Sequence, residues 1–238
     1  MSVQLPLNIQ LPESANFDTY VSGDNGLLLE LLRQCSAGRG EMQIYCWSEP
    51  GLGKTHLLQA CCHSAAGQGR LPCYLPLDEL LGRDEGKDGV GPDILDNLES
   101  VDLLCLDGLQ RITGRLLWEQ ALFSLINRCR GKGTRLVFAA GANIHELGLR
   151  LPDLASRLSW GPVFQIKPLG DDGKLLVLQG RAQRRGIELS DEVGLYMLRR
   201  FPRDIRFLCD VLDTLDRASL AAQRRVTIPF IKAVFENL

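Results

Sequence analysis

Lys54 and Thr55 close the run Ser48-Glu49-Pro50-Gly51-Leu52-Gly53-Lys54-Thr55. It follows the phosphate-loop pattern Gly-x-x-x-x-Gly-Lys-Ser/Thr, except that Ser48 stands in the first glycine place. In such a loop the backbone N–H groups point inward and the next helix adds its positive end, so phosphate oxygens meet fixed dipoles. Gly51 and Gly53 let the backbone approach closely, and Leu52 and His56 complete the expected nucleotide contacts. Lys54 is expected to reach the β- and γ-phosphates, and Thr55 to ligate Mg²⁺ through its hydroxyl. Further on, Leu103-Leu104-Cys105-Leu106 is an apolar run ending in Asp107. Asp107 fits the acid that orients Mg²⁺ through water; the plainer reading is a strand-end aspartate in a turn. Gly108 then stands where an ATPase with this loop usually carries a second carboxylate. Hydrolysis needs a group that orients and deprotonates water, and glycine has none to offer. These residues predict a site that holds a nucleotide and turns it over very slowly.

The elements that must position this site follow from apolar periodicity. Gln43 to Trp47 reads as a strand entering the loop, and a helix runs from Lys54 to about Ala66, where Gly67 and Gly69 stop it. Cys73 to Leu77, Leu103 to Leu106, Arg135 to Ala140 and Val163 to Ile166 read as four more strands. A helix lies between the third and fourth, with Leu116, Leu117, Ala121, Leu122, Leu125 and Ile126 at helical spacing and Gly131 and Gly133 at its end. Alternating strands and helices predict an α/β fold, a parallel sheet covered on both faces. After Pro168 the strands cease, and helical patterns cover about 171–185, 191–201, 203–221 and 229–237. The expected organisation is an arm over 1–24, a P-loop α/β domain over 25–167 and a small all-α lid over 168–238. Gly82 to Gly91 reads as a surface loop.

Composition excludes several classes. A net charge of −2 argues against a protein dedicated to coating nucleic acid. No apolar run approaches the roughly 18 residues of a membrane span, and no signal-peptide pattern is evident, so a cytoplasmic protein with no membrane partner is expected. The eight cysteines form no C-x-x-C pair and have no His-x-x-x-His partner, so they read as core thiols rather than a zinc site.

Longer motifs carry a family resemblance. Gly51-Leu52-Gly53-Lys54-Thr55-His56-Leu57-Leu58 resembles the phosphate loop of the AAA+ initiator DnaA. Ser156-Arg157-Leu158-Ser159-Trp160-Gly161 resembles its arginine-finger segment, and Arg203-Asp204-Ile205-Arg206 its second-sensor helix. The whole chain is similar to the Hda family of DnaA-homologous AAA+ regulators, above all in Leu151-Pro152-Asp153-Leu154-Ala155-Ser156-Arg157-Leu158 and Leu215-Asp216-Arg217-Ala218-Ser219.

The resemblance implies an AAA+ fold that binds ADP or ATP with Mg²⁺ and forms a homodimer or higher homo-oligomer. It implies attachment to the DNA-loaded sliding clamp (the polymerase β subunit) and, through it, to DNA. There the family stimulates ATP hydrolysis by the initiator DnaA and so restrains replication initiation. Arg157 would act in trans as the finger, an effect worth about 10³–10⁵ in rate; its bland alternative is a surface salt bridge. Arg206 would sense the nucleotide, or else pair with Asp204 or Asp210 on the lid surface. For the first sensor, Asn143 either substitutes from a shifted loop or the role is lost. Gln4-Leu5-Pro6-Leu7-Asn8-Ile9 resembles the clamp-binding peptide, with the Gln4 amide for hydrogen bonds and Leu5, Leu7 and Ile9 for apolar pockets. The other reading of that stretch is apolar packing on its own domain. Two further classes compete with a regulator: a stand-alone ATPase, such as a helicase loader or a shortened initiator, and a phosphotransferase. Gly108 counts against the first, and no acceptor-binding motif supports the second.

Overall fold

A computed structural model describes residues 15–81 and 90–235. It divides into two compact units, one of Asn25–Lys167 with the preceding chain up to Tyr20, the other of Pro168 onward with Val21–Asp24. The first is built on a parallel sheet of β1 (Gln43–Trp47), β2 (Pro72–Pro76), β3 (Leu103–Asp107), β4 (Arg135–Ala140) and β5 (Val163–Gln165). Its order is β2-β3-β4-β1-β5. The central strands β1, β3 and β4 run where continuous apolar sequence predicts them, because a parallel strand inside the sheet is buried on both faces. Residues alternate between two cores. Leu104, Leu106, Leu136 and Phe138 pack with Leu122, Leu125 and Ile126 of α4 (Leu116–Lys132). Leu103, Cys105, Val137 and Ala139 face α1 (Gly26–Ser36) and α2 (Lys54–Gly67). Helix α4 runs through Gly131 and ends at Gly133, which takes the left-handed cap. The strand ends that matter lie together: Trp47 is in register with Ala140, and Asp107 with Ala139. The crevice outside the carboxyl ends of such a sheet is where α/β folds bind ligands. A short helix, α3 (Leu77–Leu80), follows β2, and α5 (Pro152–Leu158) precedes β5.

The expected extended arm does not hold for residues 15–20. Phe17 is buried in the α1–α2 core, and Asn16 Oδ1 accepts from the N–H groups of Asp18 and Thr19 to make a turn. A buried aromatic ring stabilises such a fold-back by about 2–3 kcal/mol, which composition alone does not reveal. Asn25 then ties the unit's two ends: its amide donates to the Lys167 carbonyl at 3.0 Å and accepts from the Lys167 N–H at 2.8 Å. The clamp-like residues Gln4, Leu5, Leu7 and Ile9 and most of the 82–91 stretch lie outside the described residues.

The second unit is helical: α6 (Asp171–Arg184), α7 (Asp191–Arg200), α8 (Ile205–Ala222) and α9 (Ile228–Phe235). Leu208, Val211, Leu212 and Leu215 of α8 recur at one-face spacing and meet Leu178, Met197 and Phe230 in a separate core. Ser190 caps α7 through the Val193 N–H, and Asp204 caps α8 through that of Phe207. Thr227 caps α9, accepting from the Phe230 N–H at 3.4 Å. No helix among the described residues is long and apolar enough to cross a membrane.

Candidate nucleotide site and arginine face

The loop between β1 and α2 gathers Ser48, Gly51, Leu52, Gly53, Lys54 and Thr55 beside the end of β3. Lys54 Nζ donates to the carbonyls of Ser48 at 2.7 Å and Glu49 at 2.9 Å, and reaches Ser48 Oγ at 3.1 Å. The departure at the first loop position therefore has a local role. Ser48 is buried, and its hydroxyl sits beneath the lysine while donating to the Glu49 carbonyl. A phosphate has a ready cation to take over from these carbonyls, with the first turn of α2 behind it.

Asp107, buried at the end of β3, is the second pole. Its Oδ2 accepts from Thr55 Oγ1 at 2.6 Å and from the Tyr74 hydroxyl at 3.0 Å. Burial pushes its carboxyl above the usual 3.8; the Thr55 and Tyr74 hydrogen bonds and Lys54 oppose that shift, and the charge of Asp78 adds to it. Tyr74 is pushed up in turn, first by burial and then by Asp107. Among the described residues no cluster of His, Cys, Asp and Glu forms a metal cage. Mg²⁺ does not require one: it keeps several waters and takes one or two protein oxygens plus phosphates. The Thr55 hydroxyl and the Asp107 carboxylate are hard oxygen donors already within hydrogen-bond distance of each other, so they fit that ion.

The His56 side chain has a structural task. Its Nε2 donates to the Asn16 carbonyl at 2.9 Å, lies 3.3 Å from Thr19 Oγ1, and its ring stands 5.5 Å from that of Tyr20. The imidazole thus fastens the 15–20 turn to the loop helix. The Tyr20 ring edge comes within 3.0 Å of where a side chain on Gly53 would start. Asn143 is turned to local use as well, its Oδ1 accepting from the His145 N–H at 3.2 Å. Gln110 is the polar group at the end of β4, where its Oε1 takes the Gly141 N–H at 3.0 Å. Gly108 adopts φ +83°, a backbone region that side chains disfavour.

Arg157 lies in the last turn of α5. Its guanidinium packs over Trp160, 4.1 Å from the ring centroid, and 5.3 Å from Phe123. The Nε is buried without an acceptor, and among the described residues no carboxylate pairs with the group. Arg130 also stacks on Trp160 at 4.1 Å. Helix α5 is held at both ends by side chains that periodicity did not single out. Glu119, fully buried on α4, accepts from the backbone N–H groups of Gly114, Arg150 and Leu151 at 2.7, 2.9 and 2.8 Å. Gln43 Nε2 donates to the carbonyls of Arg157 and Leu158 at 2.8 and 2.9 Å. Gly161 is required just beyond: a Cβ there would meet the Gln43 carbonyl oxygen at 1.8 Å. The available signal was Glu119 itself, a charge between the core-facing residues of an amphipathic helix.

In the helical unit, Arg206 occupies the first turn of α8. It is exposed and makes no ion pair among the described residues, so neither Asp204 nor Asp210 holds it. Asp204 serves as the helix cap instead, and Arg203 pairs with Asp171 at 3.6 Å.

Comparison with known proteins gives the family and the fold. Residues 11–165, more than half of the chain, match the family model of the bacterial DnaA ATPase domain. Residues 171–235 match that of the Hda lid domain. Domain III of the Thermotoga maritima replication initiation protein DnaA has a similar fold, with a TM-score of 0.81 at 20% identity over 95% of this chain and 98% of that one. AMPPCP-bound DnaA from Aquifex aeolicus superposes with a TM-score of 0.70 at 22% identity, over 86% of this chain and 65% of that one. RuvB of Thermotoga maritima gives a TM-score of 0.71 at 16% identity, over 96% and 72%. With a DnaA-type ATPase domain joined to an Hda lid, the chain belongs to the bacterial DnaA ATPase family and, within it, to the DnaA-homologous AAA+ proteins of the Hda type.

Proposed function

We propose that this protein is a replication regulator that holds ADP or ATP with Mg²⁺ as a structural switch and completes the active site of a neighbouring DnaA molecule with Arg157. One observation carries the reading. Among the described residues, the Arg157 guanidinium rests on aromatic faces with no internal anion to neutralise it, and its Nε lacks even a hydrogen-bond acceptor. A structural arginine would normally be paired. An unpaired one on a firmly held helix suits a phosphoryl group that gathers charge on its equatorial oxygens. Gly108 accords with this division of labour, since the hydrolysis that matters would occur next door. Gln4, Leu5, Leu7 and Ile9 would dock on the sliding clamp, and a homo-oligomer on a ring with several pockets would gain avidity. The protein would act in the cytoplasm, reaching DNA through the clamp and regulating initiation without itself being a working ATPase.

The decisive measurement is single-turnover hydrolysis of ATP held by the initiator on clamp-loaded DNA. Arg157→Ala should slow it by about 10³-fold or more while leaving nucleotide binding by this chain intact. Gln4→Ala should lose retention on immobilised clamp and regain stimulation at high protein concentration. Equal initiator turnover with wild type and Arg157→Ala would sink the trans mechanism.

A further inference from the structure

We propose that Asp78 is the second carboxylate of the nucleotide site, supplied from the end of β2 in place of the side chain that Gly108 lacks. The placement follows from the sheet. Strands β2 and β3 are neighbours, with Pro76 in register with Asp107. Gly108 follows Asp107 directly, and Asp78 lies two residues past Pro76 in the first turn of α3, so both sit just beyond the paired strand ends. A Cβ built on Gly108 would lie 2.9 Å from Asp78 Oδ2 and 3.2 Å from its Cγ. The carboxylate fills the very volume that a side chain at 108 would enter. Gly108 is thus doubly accounted for: its φ of +83° disfavours any side chain, and the space is already taken. The charge of Asp78 is felt at Asp107, which places both acids in one electrostatic site.

Arg111 qualifies this acid. Its Nε stands 3.4 Å from Asp78 Oδ1, and the Asp78 side chain is 63% exposed. A carboxylate held by a guanidinium is less free to turn toward water. The arrangement provides a slow site rather than a dead one. In the step assigned to it, Asp78 orients a water whose oxygen attacks the γ-phosphorus of ATP. The bond from that phosphorus to the β–γ bridging oxygen breaks, ADP leaves with the bond's electron pair, and the water proton passes to the carboxylate, yielding inorganic phosphate. The same negative charge would oppose a γ-phosphate more than a β-phosphate, which favours retention of ADP.

This inference rests on ATP binding in the loop and not on Arg157, so it is tested on the pure protein without initiator or clamp. Single-turnover hydrolysis and fluorescent-nucleotide binding are compared for wild type, Asp78→Asn, Asp78→Glu and Arg111→Ala. Asp78→Asn should lower the rate by about 10- to 100-fold. It should also tighten ATP severalfold and leave ADP affinity unchanged. Asp78→Glu should recover part of the rate, and Arg111→Ala should raise it. A wild-type rate in Asp78→Asn overturns the proposal. So does an unchanged preference between ATP and ADP, or turnover undetectable in both wild type and Arg111→Ala. Failure of the wild type to bind ATP at all would remove the nucleotide reading together with it.

Discussion

At the scale of single residues, the nucleotide loop satisfies itself. Lys54 is spent on loop carbonyls, and Thr55 and Tyr74 both donate to Asp107. Asp107 still bears a net penalty, because burial outweighs those bonds and leaves its carboxyl above the usual 3.8. The sign follows from linkage. An acid whose folded pKa exceeds its unfolded value binds protons more tightly when folded, so its ionisation opposes folding at neutral pH and protonation relieves that opposition as pH falls. Asp107→Asn should therefore stabilise the nucleotide-free protein at pH 7, raising its urea midpoint. The gain should shrink as pH falls through the raised pKa toward 3.8. Urea unfolding of both proteins at neutral and acid pH checks this, and a destabilised variant at pH 7 would contradict it. The loop residues were legible in sequence because their spacing is local. Tyr74 and Gln110 were not, since each meets its partner only after strands distant in the chain pair up.

At the scale of elements, the face bearing Arg157 depends on how α5 is pinned. Both Glu119 oxygens are committed to backbone N–H groups, and Gln43 takes the carbonyls at the other end of the helix. Glu119→Gln would turn an amide NH₂ toward a backbone N–H, leaving a buried donor without an acceptor. The expected loss is about 2 kcal/mol or more in unfolding free energy. Arg157-dependent stimulation should fall along with it. A stability within about 0.5 kcal/mol of wild type, the range of ordinary surface changes, would show that the network does not hold the helix. The central strands were readable because burial on two faces leaves an unbroken apolar run. The 15–20 turn was not, because one aromatic residue among polar ones declares itself only when α1 and α2 are there to receive it.

For the whole molecule, the two units carry separate hydrophobic cores. The composition change near Pro168 was visible because strands simply stop. Leu212 is fully buried in the helical core, and Leu212→Ala should cost about 2–5 kcal/mol there. Hydrogen exchange should then speed up in α6 through α9 while sheet amides keep their protection. Equal loss of protection in β3 and β4 would reject separate cores. The cysteines bear on the other unit. Cys35, Cys46, Cys61, Cys62 and Cys105 are buried together behind the sheet, and burial pushes the Cys35 thiol up to about 12 and that of Cys46 higher still. Thiols so shielded react only when the structure around them opens. The native chain thus contains its own stopwatch: the rate at which a thiol dye consumes these five sulfurs counts how often the nucleotide-binding core comes apart, with no reporter group added.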